Sequence, residues 1–226
     1  LITKMSNIKA LQALKSLDLS GNQIKVLENL EGNTGLTNLY LSKNQIHTVF
    51  LKSQLPNLLK LDLRRNALEQ IPFWEYFPGL TSLHLDHCFL TSFSGLNQMK
   101  SLKRLTLSFN KINDAQVLDL PNLEYLNVAN NSLTSLQSFT KLIKLSVLNI
   151  SFNPIDDQGY TISAIFSNLR AIIATGTRIV HPNLIIRFAP NIEHIDIANT
   201  RVSQMQDVQA LVRKAIRLQQ LDIRGS

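Results

Sequence analysis

The chain has 226 residues, of which 44% are hydrophobic, 17% charged and only 7% aromatic, and its formal net charge is +7. That apolar content is enough for a sizeable core and excludes a disordered chain, while no run nears the roughly 18 apolar residues needed to span a bilayer. A single cysteine, Cys88, excludes an intrachain disulfide, and the basic balance admits an acidic protein, a nucleic acid or an anionic surface without selecting among them.

One motif recurs along the chain, with aliphatic residues at positions one, four and six and a small polar residue at position nine. The first copy is Leu14, Leu17, Leu19 and Asn22. Further copies start at Leu36, Leu58, Leu80 and Leu102, each 22 residues on, then at Leu123, Leu145, Leu169, Ile192 and Leu218. The fourth and sixth positions are two residues apart and so face one side of a strand. Each copy therefore predicts a short strand, and equivalent strands should pair in parallel about 4.8 Å apart. No coil buries its leucines alone, so stability must come from stacking on neighbours.

The ninth position reads Asn22, Asn44, Asn66, Cys88, Asn110, Asn131, Asn153, Thr177, Thr200 and Ser226. The chain turns inward there, its backbone groups need partners away from water, and each of these small side chains carries a donor. Cys88 is read as one rung of this ladder rather than a reactive thiol. Pro56, Pro78, Pro121 and Pro190 each stand two residues before a strand's first aliphatic residue, where proline removes no strand donor.

Short turns or 3₁₀ segments are expected behind the early coils and helices behind the last three. Ile162, Ile165, Phe166 and Leu169 follow helical spacing. After Val202, Ser203 and Gln206 stand at capping-box spacing, with Met205, Val208, Val212 and Ala215 as the apolar positions of the helix. Ile2, Met5, Ile8 and Leu11 match the return of a coil without its own strand, and Ser226 ends on a ladder position. The expectation is one solenoid domain over residues 1–226, about ten repeats, taken from a longer protein and lacking both caps.

The motif resembles the leucine-rich-repeat family, with its L-x-x-L-x-L-x-x-N/C-x-L consensus, over essentially the whole chain. The 22-residue period, with return positions such as Leu27 and Leu30, or Ile71, Trp74 and Phe77, is similar to an intracellular subclass whose type member is the leucine-rich regulatory subunit of protein phosphatase 1. The resemblance implies an α/β fold: a curved right-handed solenoid with a parallel sheet on its concave face and turns, then helices, on its convex face. It also implies a non-catalytic module that binds a protein through the concave face, within a larger regulator or scaffold, and that needs no cofactor.

Signs of chemistry are few. There is no phosphate-binding glycine loop, nucleophile elbow or Cys-x-x-Cys pair. His84, Asp86, His87 and Cys88 cluster in sequence, but Cys88 should turn inward and no neighbouring strand supplies an obvious carboxylate, so a polar strand surface is favoured over a metal site. The chain is read as not an enzyme.

The concave positions between the leucines are polarised. Lys43, Lys60, Arg64, Arg65, Lys103 and Arg104 are opposed only by Asp62 and Asp86, with Tyr40, His84 and His87 in the same stretch and Tyr125 beyond it. Basic residues steer an acidic protein partner, and aromatics anchor it. Phe109 and Phe152 are expected to pack between coils. Nucleic-acid binding is disfavoured, because aromatics do not interleave regularly with the cations. The other alternative, an extracellular receptor ectodomain, draws on N-x-S sequons at Asn130 and Asn149. Asn149 should lie mid-strand on the concave face, where a glycan would obstruct binding, and a lone cysteine cannot staple caps. The expected setting is cytoplasmic or nuclear.

Overall fold

A computed structural model describes residues 1–71, 74–113 and 116–226. The motif copies form short strands in chain order: β1 (Ser16–Asp18), β3 (Asn38–Tyr40), β5 (Lys60–Asp62), β6 (Ser82–His84), β7 (Arg104–Thr106), β8 (Tyr125–Asn127), β9 (Val147–Asn149), β10 (Ala171–Ile173), β11 (His194–Asp196) and β12 (Gln220–Asp222), with β2 (Val26–Leu27) and β4 (Thr48–Val49) on the opposite side of the coils. The ten motif strands make one parallel sheet in sequence order, and β2 pairs with β4 in a separate two-stranded sheet. The expected solenoid is therefore formed.

Register follows the motif without a slip. Leu39 pairs with Leu61, Leu61 with Leu83, and Leu83 with Leu105. These central residues are fully buried, as are the sixth-position aliphatics Leu41, Leu63 and Leu85. Leu17 in the first coil and Leu221 in the last are only partly buried, because each has one stacking neighbour instead of two. Aromatics close the later backs, with Phe93 edge-on to Phe139 (6.1 Å between centroids) and Phe166 edge-on to Phe188 (6.0 Å).

Asn66 shows how a ladder rung works. Its Nδ2 donates to Leu63 O in its own coil and to Leu41 O in the preceding coil, both at 2.9 Å, and its Oδ1 accepts the Ile46 N–H at 2.8 Å. Asn44, Asn110, Asn131 and Asn153 repeat this set on equivalent groups. One amide thus satisfies three backbone groups and ties two coils together. Thr177 and Thr200 bond within their own coil, to Ala174 O (2.9 Å) and Ile197 O (2.8 Å).

Cys88 occupies its rung with a single weak donor, 3.5 Å from Leu63 O. Burial pushes its thiol up to about 11, so it is protonated and unreactive at neutral pH. The Leu68 N–H faces only sulfur, a poor acceptor. Cys88→Asn should therefore raise stability by about 1 kcal/mol, the net worth of one added hydrogen bond, seen as a higher urea midpoint. A lower midpoint would mean that the site does not admit the amide.

A second ladder runs along the strand entrance, one residue before each first aliphatic position. Asn57 donates to Thr34 O (2.9 Å), Asn122 to Lys100 O (3.0 Å), Asn168 to Ile143 O (2.8 Å) and Asn191 to Ser167 O (3.0 Å). At Gly79, in the same column, a Cβ would sit 2.7 Å from Pro56 O, so the coils approach too closely there for a side chain.

The backs depart from expectation in three places. Residues 162–169 contain no helix. Phe166 and Leu169 are buried as the spacing requires, but the Phe166 N–H donates to Phe188 O in the next coil (2.7 Å) rather than four residues back, and Ile165 is 62% exposed. Among the described residues, α-helices stand only in the returns from β10 to β11 and from β11 to β12, as α1 (Leu184–Phe188) and α2 (Met205–Lys214). Second, the Ser203–Gln206 capping box does not form: Gln204 is the N-cap and makes no side-chain bond, because α2 begins one residue too late for Ser203. Asp207 in its first turn instead meets His181 Nδ1 at 3.2 Å. Third, the β2–β4 pairing is a convex element that the motif gave no sign of.

Candidate functional site

Strand alternation sends the residues on either side of each central leucine to the concave face, and the chain leaving the strand adds two more before the ladder position. Across the coils of β3 to β8 these side chains surround an open basin of about 650 Å³. Of the residues expected at a binding face, Lys43, Arg64, Arg65, His84, His87, Arg104 and Tyr125 line it. Tyr40 and Lys60 are not among the lining residues and are engaged with each other, Lys60 Nζ lying 5.1 Å from the Tyr40 ring centre. Lys103 is exposed but also does not line the basin. Ser42, Thr106, Ser108 and Asn127 do line it. They share columns with the charged residues, and aligning the repeats by column would have found them.

Both acids of this region are committed internally. Asp62 is buried, and Arg64 grips it with Nε–Oδ1 at 2.9 Å and Nη2–Oδ2 at 2.6 Å. That carboxylate raises the Arg64 pKa further and takes up its fork of donors. Asp86 accepts the Thr106 hydroxyl at Oδ2, and both the N–H (2.8 Å) and hydroxyl (2.5 Å) of Ser108 at Oδ1. Lys43, Arg65 and Arg104 form no ion pair among the described residues. Arg104 lies over the Tyr125 ring, 3.5 Å from its centre, a cation–π contact that holds the guanidinium in place.

His84 is fixed by the same network. Since Thr106 Oγ1 donates to Asp86, it accepts from His84 Nδ1 (3.1 Å), which leaves Nε2 to accept from Ser82 Oγ (3.1 Å). Burial lowers the His84 pKa, with Asp62 opposing, so the imidazole is neutral at physiological pH. The His84, Asp86, His87 and Cys88 cluster does not converge: Cys88 points into the ladder and His87 lies flat on Phe109, ring centroids 4.2 Å apart. Among the described residues no group of three His, Cys, Asp or Glu side chains is placed to hold a metal.

The eighth motif position is left-handed throughout. Gly21, Lys43, Arg65, His87, Phe109, Asn130, Phe152, Gly176, Asn199 and Gly225 all have φ between 53° and 71°. Phe109 and Phe152 belong to this column and do not enter the core, being 49% and 54% exposed. Each touches a neighbouring coil along the surface, Phe109 on His87 and Phe152 over Gly176, where an added Cβ would come within 2.6 Å of the ring.

A family model described as leucine-rich repeats in two copies matches residues 12–53, 78–120 and 121–159, more than half of the chain. The chain belongs to the leucine-rich-repeat family. Such proteins generally serve as protein-interaction modules. No curated protein matches the chain. Among solved structures, a leucine-rich-repeat protein of Leptospira interrogans aligns over 96% of this chain with a TM-score of 0.71 and 24% identity, and this chain spans 62% of its length. Internalin C2 (inlC2) of Listeria monocytogenes aligns over 95% of this chain and 83% of its own, with a TM-score of 0.63 and 20% identity. An internalin (inlF) of the same organism covers all of this chain and 85% of its own, with a TM-score of 0.55 and 17% identity. These likenesses show the shared fold. No helix among the described residues is long and apolar enough to cross a membrane.

Proposed function

We propose that this leucine-rich-repeat chain is an intracellular protein-capture module with a scaffold or regulatory role, and that the basin across β3 to β8 receives an acidic surface of its partner. The observation that carries this reading is how charge is used in the basin. Asp62 and Asp86 are satisfied from within, whereas Lys43, Arg65 and Arg104 have no acidic partner among the described residues. Unpaired cations around a concave surface raise the rate of encounter with an acidic partner, and an adjacent arginine on tyrosine supplies contact area.

The non-catalytic reading draws on the same network. Thr106 stands between His84 and Asp86, so among the described residues no carboxylate orients the imidazole, and the Ser82 N–H is already given to Leu59 O. The 22-residue period favours the intracellular subclass. So does Asn149 on the concave strand β9, whose Oδ1 accepts the Ser151 N–H at 3.0 Å, a poor site for a glycan. The test is charge reversal at Lys43 and Arg65: capture of the partner from the protein's own cells should be lost while the fold is retained. Unchanged capture would overturn the assignment to this basin.

A further inference from the structure

The left-handed column carries information that the charge pattern does not. Glycine and asparagine adopt that backbone most readily, and they fill positions 21, 130, 176, 199 and 225. Lys43, Arg65, His87, Phe109 and Phe152 fill the others, with φ of 54–56°. All five are exposed, so core burial does not compensate the strain. His87, Phe109 and Phe152 gain only a surface contact on a neighbouring coil, and strained backbone whose side chains stay exposed points to contact outside the chain.

The five are also ordered along the solenoid. Cations come first, on the coils of β3 and β5, then the His87–Phe109 stack on the coils of β6 and β7, then Phe152 on that of β9. With strands about 4.8 Å apart, Phe109 lies ~10 Å from Arg65 along the solenoid axis and Phe152 ~19 Å. An extended peptide rising about 3.3 Å per residue covers those distances in roughly three to six residues.

Resting on the proposed capture of an acidic partner, we infer that the partner presents one extended segment that runs across the strands along this column. The segment carries an acidic group at Lys43 and Arg65, and, about three to six residues away, a large apolar side chain seated between Phe109 and Phe152. A flat charged patch would require only the first half of this description. The exposed aromatics, held at the same strained position in line with the cations, supply the second.

The test is selection of a phage-displayed library of random twelve-residue peptides on the full chain, followed by fluorescence polarisation of an enriched peptide. The expected enrichment couples Asp or Glu to Phe, Trp, Leu or Met at that spacing. Arg65→Asn should weaken binding at least tenfold and also raise the melting temperature, since asparagine relieves the left-handed strain; a purely structural arginine would lower both. Phe109→Asn with Phe152→Asn should keep the acidic preference and lose the apolar one. Acidic peptides without an apolar anchor, or binding indifferent to the double phenylalanine change, would overturn the bipartite segment and leave the basin reading intact. Enrichment without acidic residues, or no enrichment, would overturn both.

Discussion

Replacing Asn66 with alanine should lower the free energy of unfolding by about 2–6 kcal/mol, from one buried N–H left without its partner at roughly 1–3 kcal/mol and two further hydrogen bonds lost at roughly 0.5–1.5 kcal/mol each. The orphaned group is the Ile46 N–H, whereas Leu41 O keeps Asn44 Nδ2 (3.0 Å) and Leu63 O keeps the Cys88 thiol (3.5 Å); the rung itself is only 4% exposed. The loss should be comparable to that of Leu61→Ala, for which cavity formation implies about 2–5 kcal/mol. Two of the three bonds cross to the preceding coil, so the change also weakens coupling between repeats. In a quasi-one-dimensional stack, weakened coupling broadens unfolding, and the urea transition should show a smaller slope as well as a lower midpoint. Asn22 provides the contrast. Its bonds are to Leu19 O, Ser20 O and the Ile2 N–H in an end coil that water reaches, so Asn22→Ala should cost far less. Equal losses at the two positions would show that the ladder is not what joins the coils.

Reversing Lys43 and Arg65 to glutamate should weaken partner binding on the order of 100-fold, because placing like charges together costs several kcal/mol. Stability should change by no more than about 0.5 kcal/mol, since both residues are exposed and neither forms an ion pair among the described residues. Arg64 is the wrong residue for this experiment despite its position in the basin. Its guanidinium satisfies the buried Asp62, and a glutamate there would set a second carboxylate against it. Breaking a pair with a buried charge costs about 3–5 kcal/mol, less here because Arg64 is half exposed. Loss of binding by Arg64→Glu would therefore report damage to the fold. In the wild type, raising salt should weaken binding mainly through slower association.

The repeat, the strands and the ladder were legible because they rest on spacing alone. Leucines two apart and an asparagine every 22 residues leave few folds open. The segment holding Ile162, Ile165, Phe166 and Leu169 misled because the return limb of a coil and one face of a helix can place apolar residues at the same intervals. What separates them is the destination of the backbone amides, and Phe166 gives its N–H to the neighbouring coil. The basic stretch was visible as a count, but its pairing was not. Asp62 and Arg64 are two residues apart and leave the same side of the coil, so a closer reading would have paired them. The left-handed column was hidden by its occupants. Gly21 and Gly176 advertise a positive φ, whereas Arg65 and Phe109 disguise it until the repeats are aligned.

Photo-crosslinking within intact cells of the protein's origin tests most directly whether the concave basin is the recognition surface. A photoreactive residue at Ser42, which lines the basin, should link to a partner protein, while the same group at the exposed Phe50 or Ile165 on the back of the coils should not. Crosslinks from the back positions with none from Ser42 would contradict the account.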